Sequence, residues 1–478
     1  MNRLLFCFSL FWLIPNLPLH AQQGYEIDVS VNGFRASEAY LAYYYGNKQY
    51  IKDTAEVVKG SFTFAGEEPL DGGIYLVVLP PGNTYFELVI DKEQHFSVVT
   101  DTIDYINSMK IKGSKENLVF YQDLKFLGEK RKQVNQIDEQ LKSKELSPAE
   151  KDKLLAEKEK VDQEVKTHRA KLMEQKDEMF YAKVLYTMKE PEIPEAPKDA
   201  NGEPIDPNFA YWHYRKHYFD YLDMTDDRLL RTPVLHNKID QYLERLIPKV
   251  PDSLCTAVDF IIDKTRSNDD MFQYFVVNLL NKYANSKIMG MDGVYVCMVE
   301  KYYMSGAAWW ADEETIGKMT ERALAISPTL VGRTAPNFTA QDVNGSSRQL
   351  HGVDADYTIL YFWDYDCGHC KKVTPQLGKA FDKFDGKGVK IFAVSINGDV
   401  EVWKEKIKEY GLSKAINVQD HRRQSGFDQM YDIRSTPRLL ILDKDKKILA
   451  KQITVDQMDE ILSRELDLPL PETASKKD

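Results

Sequence analysis

Apolar and polar positions alternate along the first hundred residues. In "YEIDVSVNG", Tyr25, Ile27, Val29 and Val31 share one face and the run stops at Asn32-Gly33. That pattern predicts a half-buried strand closed by a turn. The runs "EAYLAYYYG", "GSFTFAG", "IYLVVLPPG", "TYFELVID" and "HFSVVTD" are similarly short and are punctuated by Gly or Pro. They are rich in aromatic and β-branched residues, so a small β-sandwich is expected over residues 22–104. No catalytic constellation stands out within it.

The period then changes. From about residue 114 to 188 the chain is dominated by Lys, Glu, Gln and Leu. Leu127, Val134 and Leu141 recur every seven residues, while Leu154, Val161, Val165, His168, Leu172 and Met179 follow at spacings of three, four and seven. Between the two sets lies "SPAE", Ser147 to Glu150, which combines an N-cap Ser, a Pro at the first helical position and the Glu of a capping box. An antiparallel helical hairpin with a narrow apolar seam fits, its arms roughly 45 to 60 Å long at 1.5 Å per residue. Its charged outer faces read as solvated surface, with a partner-binding arm as the alternative.

Pro191, Pro194, Pro197, Pro204 and Pro207 mark an irregular loop, after which helical patterns run to about residue 325. The helical domain is therefore placed at 105–330. His213 and His217 have a spacing that can bind zinc, but the Glu of an HExxH motif is missing and Tyr and Trp surround them. They read as part of an aromatic packing face. Cys255 and Cys297 sit in apolar helical contexts and are expected to be buried free thiols, a disulfide being the alternative.

After "ISPTLVGRTAPNF", Ile326 to Phe338, strand and helix patterns alternate. "NFTAQDVNG" and "SRQL" predict a hairpin, and "YTILYFWDY" and "VKIFAVSIN" buried strands. "CKKVTPQLGKAFDKF" and "DVEVWKEKIKEYG" predict helices, and "AINVQD" a short strand before a helical "QSGFDQMYDI". "RLLILDKD" and "KILAKQ" read as a strand pair, and "TVDQMDEILSREL" as a last helix. An α/β layered domain on a mixed sheet is expected over 331–478. The fold class is thus multi-domain: an all-β sandwich, an all-α region with a long hairpin, and a C-terminal α/β domain.

Composition narrows the partners. Of 478 residues 43% are hydrophobic and 29% charged, with a formal net charge of -11. An acidic chain lacks the basic footprint that nucleic acid or an anionic membrane requires, so neither is an expected partner. Met1-Asn2-Arg3 followed by the apolar run Leu4 to Leu19 and by Ala21 reads as a secretory signal peptide, residues 1–21, cleaved after Ala21. Pro15 and Pro18 interrupt the run, which argues against a membrane anchor, and Cys7 lacks the setting of a lipidated cysteine. The mature chain is expected to be soluble, without a membrane span, in the periplasm or cell envelope.

Cleavage would leave Cys255, Cys297, Cys367 and Cys370, too few for a disulfide scaffold in a chain of this length. The last two form "CGHC" at a predicted strand-to-helix junction. Zinc would need two further ligands nearby, and covalent haem a His directly after the second Cys, where Lys371 stands. No metal and no organic cofactor is expected. A redox pair explains the placement, because free N–H groups at a helix start favour a thiolate on Cys367. Cys370, one turn in, would be more buried and would attack a mixed disulfide on Cys367. Gly368 permits the tight turn, His369 is placed to interact with the thiolate, and Pro375 would kink the helix.

"APNF" at Ala335 to Phe338, "YFWDYDCGHC", "AVSIN" with "EVW", and "TPRLLILD" together resemble the thioredoxin superfamily, specifically its TlpA/ResA-like periplasmic branch. The resemblance covers residues from about 331 to 470. It implies a thioredoxin fold, a cis Pro437 facing the cysteine pair, and Thr436 offering its backbone to an extended substrate. The two upstream regions resemble accessory modules found with such domains in exported bacterial proteins. The chain departs from the family at three places. Tyr361 stands where thioredoxin has a buried carboxylate, Val373 where the branch often has Glu, and Asp366 where Trp is usual. The usual proton acceptors for the buried thiol are thus missing, and Asp366 should oppose ionisation of Cys367.

The expected function is an exported thiol–disulfide oxidoreductase. Its expected partners are protein thiols and disulfides of the cell envelope and an unidentified redox partner. A non-catalytic envelope scaffold retaining a thioredoxin-like domain is the alternative. A peroxidase is disfavoured, because the Thr and Arg setting of a peroxidatic Cys is missing. The isomerase-type dipeptide in CGHC and the reductases of the branch point in opposite directions of electron transfer.

Overall fold

The computed structural model describes residues 24–142 and 146–471. The expected signal peptide, its cleavage after Ala21, and Cys7 lie outside the described residues. The chain is multi-domain, with N-terminal sheets, a central helical region and a C-terminal mixed sheet. Packing divides it into two compact units that meet in sequence between Gln241 and Tyr242, inside the helical region.

The first unit begins with β1 (Tyr25–Asn32), β2 (Glu38–Tyr45), β3 (Lys48–Glu56), β4 (Ser61–Gly66), β5 (Gly73–Leu79), β6 (Thr84–Ile90), β7 (His95–Asp101) and β8 (Lys110–Lys112). They form two four-stranded sheets in the orders β4-β1-β7-β8 and β3-β2-β5-β6. Tyr25, Ile27, Val29 and Val31 are all buried, as the alternation of β1 demands. Two strands go beyond the expected set. In β3 nearly every side chain is exposed or half-exposed, so the strand is held by its antiparallel ladder to β2 and carries no apolar pattern. Strand β8 has only three residues.

Helices α1 (Lys115–Leu141) and α2 (Pro148–Met173) make the hairpin, with Ser147 and Glu150 forming a complete capping box. They have 27 and 26 residues, so each arm is about 40 Å long, shorter than expected. The cross-helix ion pairs Lys158–Asp138 at 2.6 Å and Lys130–Glu164 at 2.5 Å have the crossed numbering of antiparallel arms. Along the seam only Ile137 and Val161 are buried, because a two-helix arm has no third element to cover it. The base is tighter. Asp123, fully buried, pairs with His168 at 2.9 Å and accepts a hydrogen bond from the Tyr181 hydroxyl at 2.5 Å. Met179 is not part of α2; it lies just ahead of α3 (Phe180–Thr187), whose first N–H groups donate to Glu116. Helices α4 (Phe209–His217) and α5 (Pro233–Gln241) complete the unit. In α4 the His213 and His217 rings contact each other, and His217 pairs with Asp220 at 2.6 Å.

The second unit holds α6 (Pro251–Asp263), α7 (Asp269–Ala284), α8 (Asp292–Met298) and α9 (Glu313–Ile326). Here the expectation of buried free thiols is corrected. Cys255 on α6 and Cys297 on α8 are half-buried and joined by a disulfide, their Cα atoms 6.4 Å apart. Packing of α6 against α8 brings together two positions 42 residues apart, a distance no local pattern encodes.

The rest of this unit consists of β9 (Thr339–Asp342), β10 (Ser347–Gln349), β11 (Tyr357–Trp363), α10 (Cys370–Phe381), β12 (Val389–Ser395), α11 (Val400–Glu409), β13 (Ile416–Gln419), α12 (Phe427–Met430), β14 (Arg438–Leu442), β15 (Ile448–Lys451) and α13 (Val455–Glu465). They build a seven-stranded sheet in the order β10-β9-β13-β12-β11-β14-β15. Strands β11, β12 and β13 run parallel, and β14 is antiparallel to β11. Central β11 is buried on both faces. Ile359, Tyr361 and Trp363 enter the core that contains Cys370, while Leu360 and Phe362 enter the opposite core with Phe338 of the APNF segment.

The segment leading into this domain is pinned to it. Gly332 N–H donates to the Ile448 carbonyl and Ala335 N–H to that of Lys446, both at 2.8 Å. Lys451, buried on β15, forms an ion pair with Asp292 at the start of α8.

Candidate active site

The loop between β11 and α10 carries the cysteine pair. Strand β11 ends at Trp363, and Asp364 starts a turn: its carboxylate accepts the Asp366 N–H at 2.8 Å and its carbonyl the Cys367 N–H at 3.2 Å. Helix α10 begins at Cys370, and the Lys371 N–H already donates to the Cys367 carbonyl at 3.0 Å. Cys367 therefore lies just ahead of the first turn, where helical N–H groups have no carbonyl partner. It is half-buried, whereas Cys370 is fully buried, and both are free thiols. Pro375 lies inside α10. Gly378 faces the Tyr410 carbonyl so closely that a Cβ there would come within 2.4 Å of the oxygen.

The peptide bond between Thr436 and Pro437 is cis. The Cys367 thiol donates to the Thr436 carbonyl at 3.4 Å, so residues 69 positions apart meet at the sulfur. A cleft of about 440 Å³ opens beside them, lined by His369, Gln376, Pro437, Arg438, Thr454 and Asp456 among others. The structure thus gathers Cys367, Cys370, His369, Thr436 and Pro437 in one place. Gly368 has no positive φ, and a Cβ there would meet nothing within 4 Å, so the turn itself does not demand glycine.

The two thiols are pushed in opposite directions. Partial burial disfavours the Cys367 thiolate. Hydrogen bonds from the backbone N–H and thiol of Cys370, from the His369 backbone and from Thr436 outweigh it and bring the pKa below that of an ordinary thiol. It is the backbone of His369 that acts here, while its side chain lines the cleft. For Cys370 desolvation dominates, and the thiol is pushed up to about 11. Asp366, expected to oppose ionisation of Cys367, has its carboxylate held by the Asn397 side chain at 2.9 Å. Asn397 also donates to Asp364 at 3.1 Å and accepts from the Tyr365 hydroxyl at 2.6 Å. This brace between the loops after β11 and β12 was not legible in the sequence, because its members are more than thirty residues apart.

A second pair was also missed. The Tyr361 and Thr374 hydroxyls are hydrogen-bonded at 2.9 Å, and both residues are fully buried in the core beneath the cysteines. The only sequence signal was Tyr361 at the position of the missing carboxylate.

Residues 354–448 match a family model described as thioredoxin-like, residues 147–325 match a domain of unknown function (DUF5106), and residues 25–120 match another (DUF4369). Over 137 residues the chain is 27% identical to a thiol-disulfide oxidoreductase ResA of Bacillus cereus, an alignment covering 28% of this chain and 78% of that protein. It is 29% identical over 129 residues to ResA of Geobacillus kaustophilus, covering 27% and 71%. A crystallised domain of a possible thiol-disulfide isomerase from Cytophaga hutchinsonii is 37% identical, covering 32% of this chain and 99% of that one, with a TM-score of 0.28. The C-terminal domain is thus of the thioredoxin-like, thiol–disulfide oxidoreductase class. That domain is thioredoxin-like and is similar to the TlpA/ResA-like branch of the thioredoxin superfamily. No helix among the described residues is long and apolar enough to cross a membrane.

Proposed function

We propose that the protein is an exported thiol–disulfide oxidoreductase acting on protein thiols and disulfides of the cell envelope, with Cys367 as nucleophile and Cys370 as resolving thiol. The carrying observation is the asymmetry of the pair. Cys367 is half-exposed, hydrogen-bonded and more acidic than an ordinary thiol, while Cys370 is buried and less acidic. In the reductive direction the Cys367 thiolate attacks a substrate disulfide and forms a mixed disulfide, and one substrate sulfur leaves as a thiolate. Cys370 then loses its proton and attacks the Cys367 sulfur. The intramolecular disulfide forms, and the second substrate thiolate leaves and takes up a proton. Pro437 borders the cleft where an extended substrate segment would lie, Thr436 precedes it across the cis bond and offers its backbone to that segment, and His369 and Gly368 complete the loop.

The test is the reduction potential of the mature chain, read by equilibration in graded glutathione buffers and counting alkylated thiols by mass. A two-thiol transition below about -250 mV places the protein with reductases, and one near about -180 mV with isomerases and oxidants. Failure of Cys367 and Cys370 to exchange would overturn the enzyme reading and favour a scaffold.

A further inference from the structure

The cleft beside Pro437 continues past β14. Its wall includes Arg438, Leu439 and the turn between β15 and α13, where Gln452, Ile453 and Thr454 lie. Gln452 and Ile453 also line a second cavity of about 520 Å³, so the two spaces share a wall. The Gln452 N–H donates to the Leu439 carbonyl at 3.0 Å, and Leu439 is three residues beyond Thr436, whose carbonyl receives the Cys367 thiol. At about 3.3 Å per residue the shared wall is roughly 10 Å along the strand from the reacting sulfur's partner. The rest of the second cavity draws on the helical elements of the same unit: Ile288 and Met289 after α7, Tyr295 on α8, Arg322 and Ile326 on α9. The ion pairs Arg322–Asp432 and Lys451–Asp292 tie this helical wall to the sheet side. Gln452 and Asp432 both hold a positive φ, 54° and 49°, a conformation that persists only where the surroundings fix it. Ile288 and Met289 are nonetheless 51% and 41% exposed, apolar groups left to solvent on the wall of a fixed cavity.

Resting on the redox reading above, we propose that this second cavity is a subsite for the substrate polypeptide. An extended segment whose cysteine is bonded to Cys367 crosses the β15–α13 turn and seats a bulky apolar side chain against Ile288, Met289, Ile326 and Ile453. A residue four positions from the cysteine lies about 13 Å along an extended chain and points to the same face, which matches the shared wall and the space beyond it. Most of the charge on the cavity wall is already paired, so a small ion finds little to bind, whereas the exposed apolar groups gain by being covered. The helices α6 to α9 thereby select the sequence around a substrate cysteine, while the thioredoxin-like domain supplies the thiols. A small disulfide would reach the first cleft alone.

The experiment follows single-turnover oxidation of the full-length chain, reduced at Cys367 and Cys370, by two peptide disulfides. Each is a symmetric dimer of a nonapeptide with a central Cys, one with Leu at both ends and one with Ala. A turnover forms the Cys367–Cys370 bond, breaks the peptide disulfide and releases two peptide thiols. Below saturation the Leu peptide should react about tenfold faster, the effect of burying one such side chain. In the double substitution Ile288→Asp, Met289→Asp, both at exposed positions, that preference should fall to near parity. A nonapeptide carrying a photoreactive benzoylphenylalanine at one end, trapped on Cys367 in a Cys370→Ser background, should crosslink within residues 286–295 or 322–329. Equal rates for the two peptides on the unsubstituted protein, a preference that survives the double substitution, or crosslinks confined to other segments would each overturn the subsite. If the double-substituted protein does not fold, the crosslinks decide. No exchange with either peptide would instead remove the redox reading itself.

Discussion

Two cysteine pairs occupy one unit of this chain, and the fold treats them differently. Cys255 and Cys297 lie within α6 and α8, both half-buried, and their bond joins two packed helices. Cys367 and Cys370 straddle the start of α10, one half-exposed and one fully buried, with a carbonyl and helical N–H groups around the first sulfur. In the first pair neither sulfur lies at a free helix start, and the bond restricts the unfolded chain. In the second the surroundings split the two acidities, which a reaction needs and a staple does not. Position relative to a helix N-terminus, more than the presence of a cysteine pair, is what sets the two pairs apart.

The comparison breaks most directly by exchange assays. Cys367→Ser should abolish disulfide exchange with a model peptide disulfide, whereas the double substitution Cys255→Ser, Cys297→Ser should leave exchange per folded molecule intact. Equal loss in both would show that the pairs are not separable. The double substitution should instead cost about 4 kcal/mol of stability, from chain entropy for a loop of this length, and calorimetric melting of the two proteins reads it. In graded thiol buffers the pair at Cys255 and Cys297 should stay oxidised to below about -300 mV, as structural disulfides do, after the CGHC pair has been reduced. A finer test is pH. Cys367, lowered from the ordinary thiol value, should be alkylated with a midpoint below that of an ordinary thiol, its rate falling as pH drops through that midpoint. Cys370, at about 11, should stay slow across the neutral range. Smallest in scope, Gly378→Ala should destabilise the domain by about 1 to 3 kcal/mol, since α10 must move from the Tyr410 carbonyl. Thermal denaturation would register that loss.

What was legible in the sequence was whatever is local. The alternation of β1, the capping box at Ser147, the strand-to-helix position of CGHC and the Thr436-Pro437 dipeptide each declare themselves within a few residues. Strand β3 was not legible, because an edge strand exposed along its length has backbone pairing as its only requirement. The Cys255–Cys297 bond and the Asn397 brace depend on which elements pack together, and the period of a helix does not say that. Hairpin length was overestimated because α2 stops at Met173, and Met179, though in phase, belongs to the turn before α3. Tyr361 stood out as a departure, but its hydrogen-bond partner Thr374 lies thirteen residues away, on a helix that no local pattern places beside β11.

The ion pair between Lys451 and Asp292 bears on how the redox domain is best isolated. Lys451 is buried, and its partner lies outside the span that sequence patterns assign to that domain. Trimming the chain to begin at residue 331 would delete the carboxylate and leave an ammonium group stranded at the end of β15, next to the residues that line the cleft beside Pro437. A fragment that keeps α6 to α9 is therefore the sounder reagent for crystallisation, ligand screening and potentiometry.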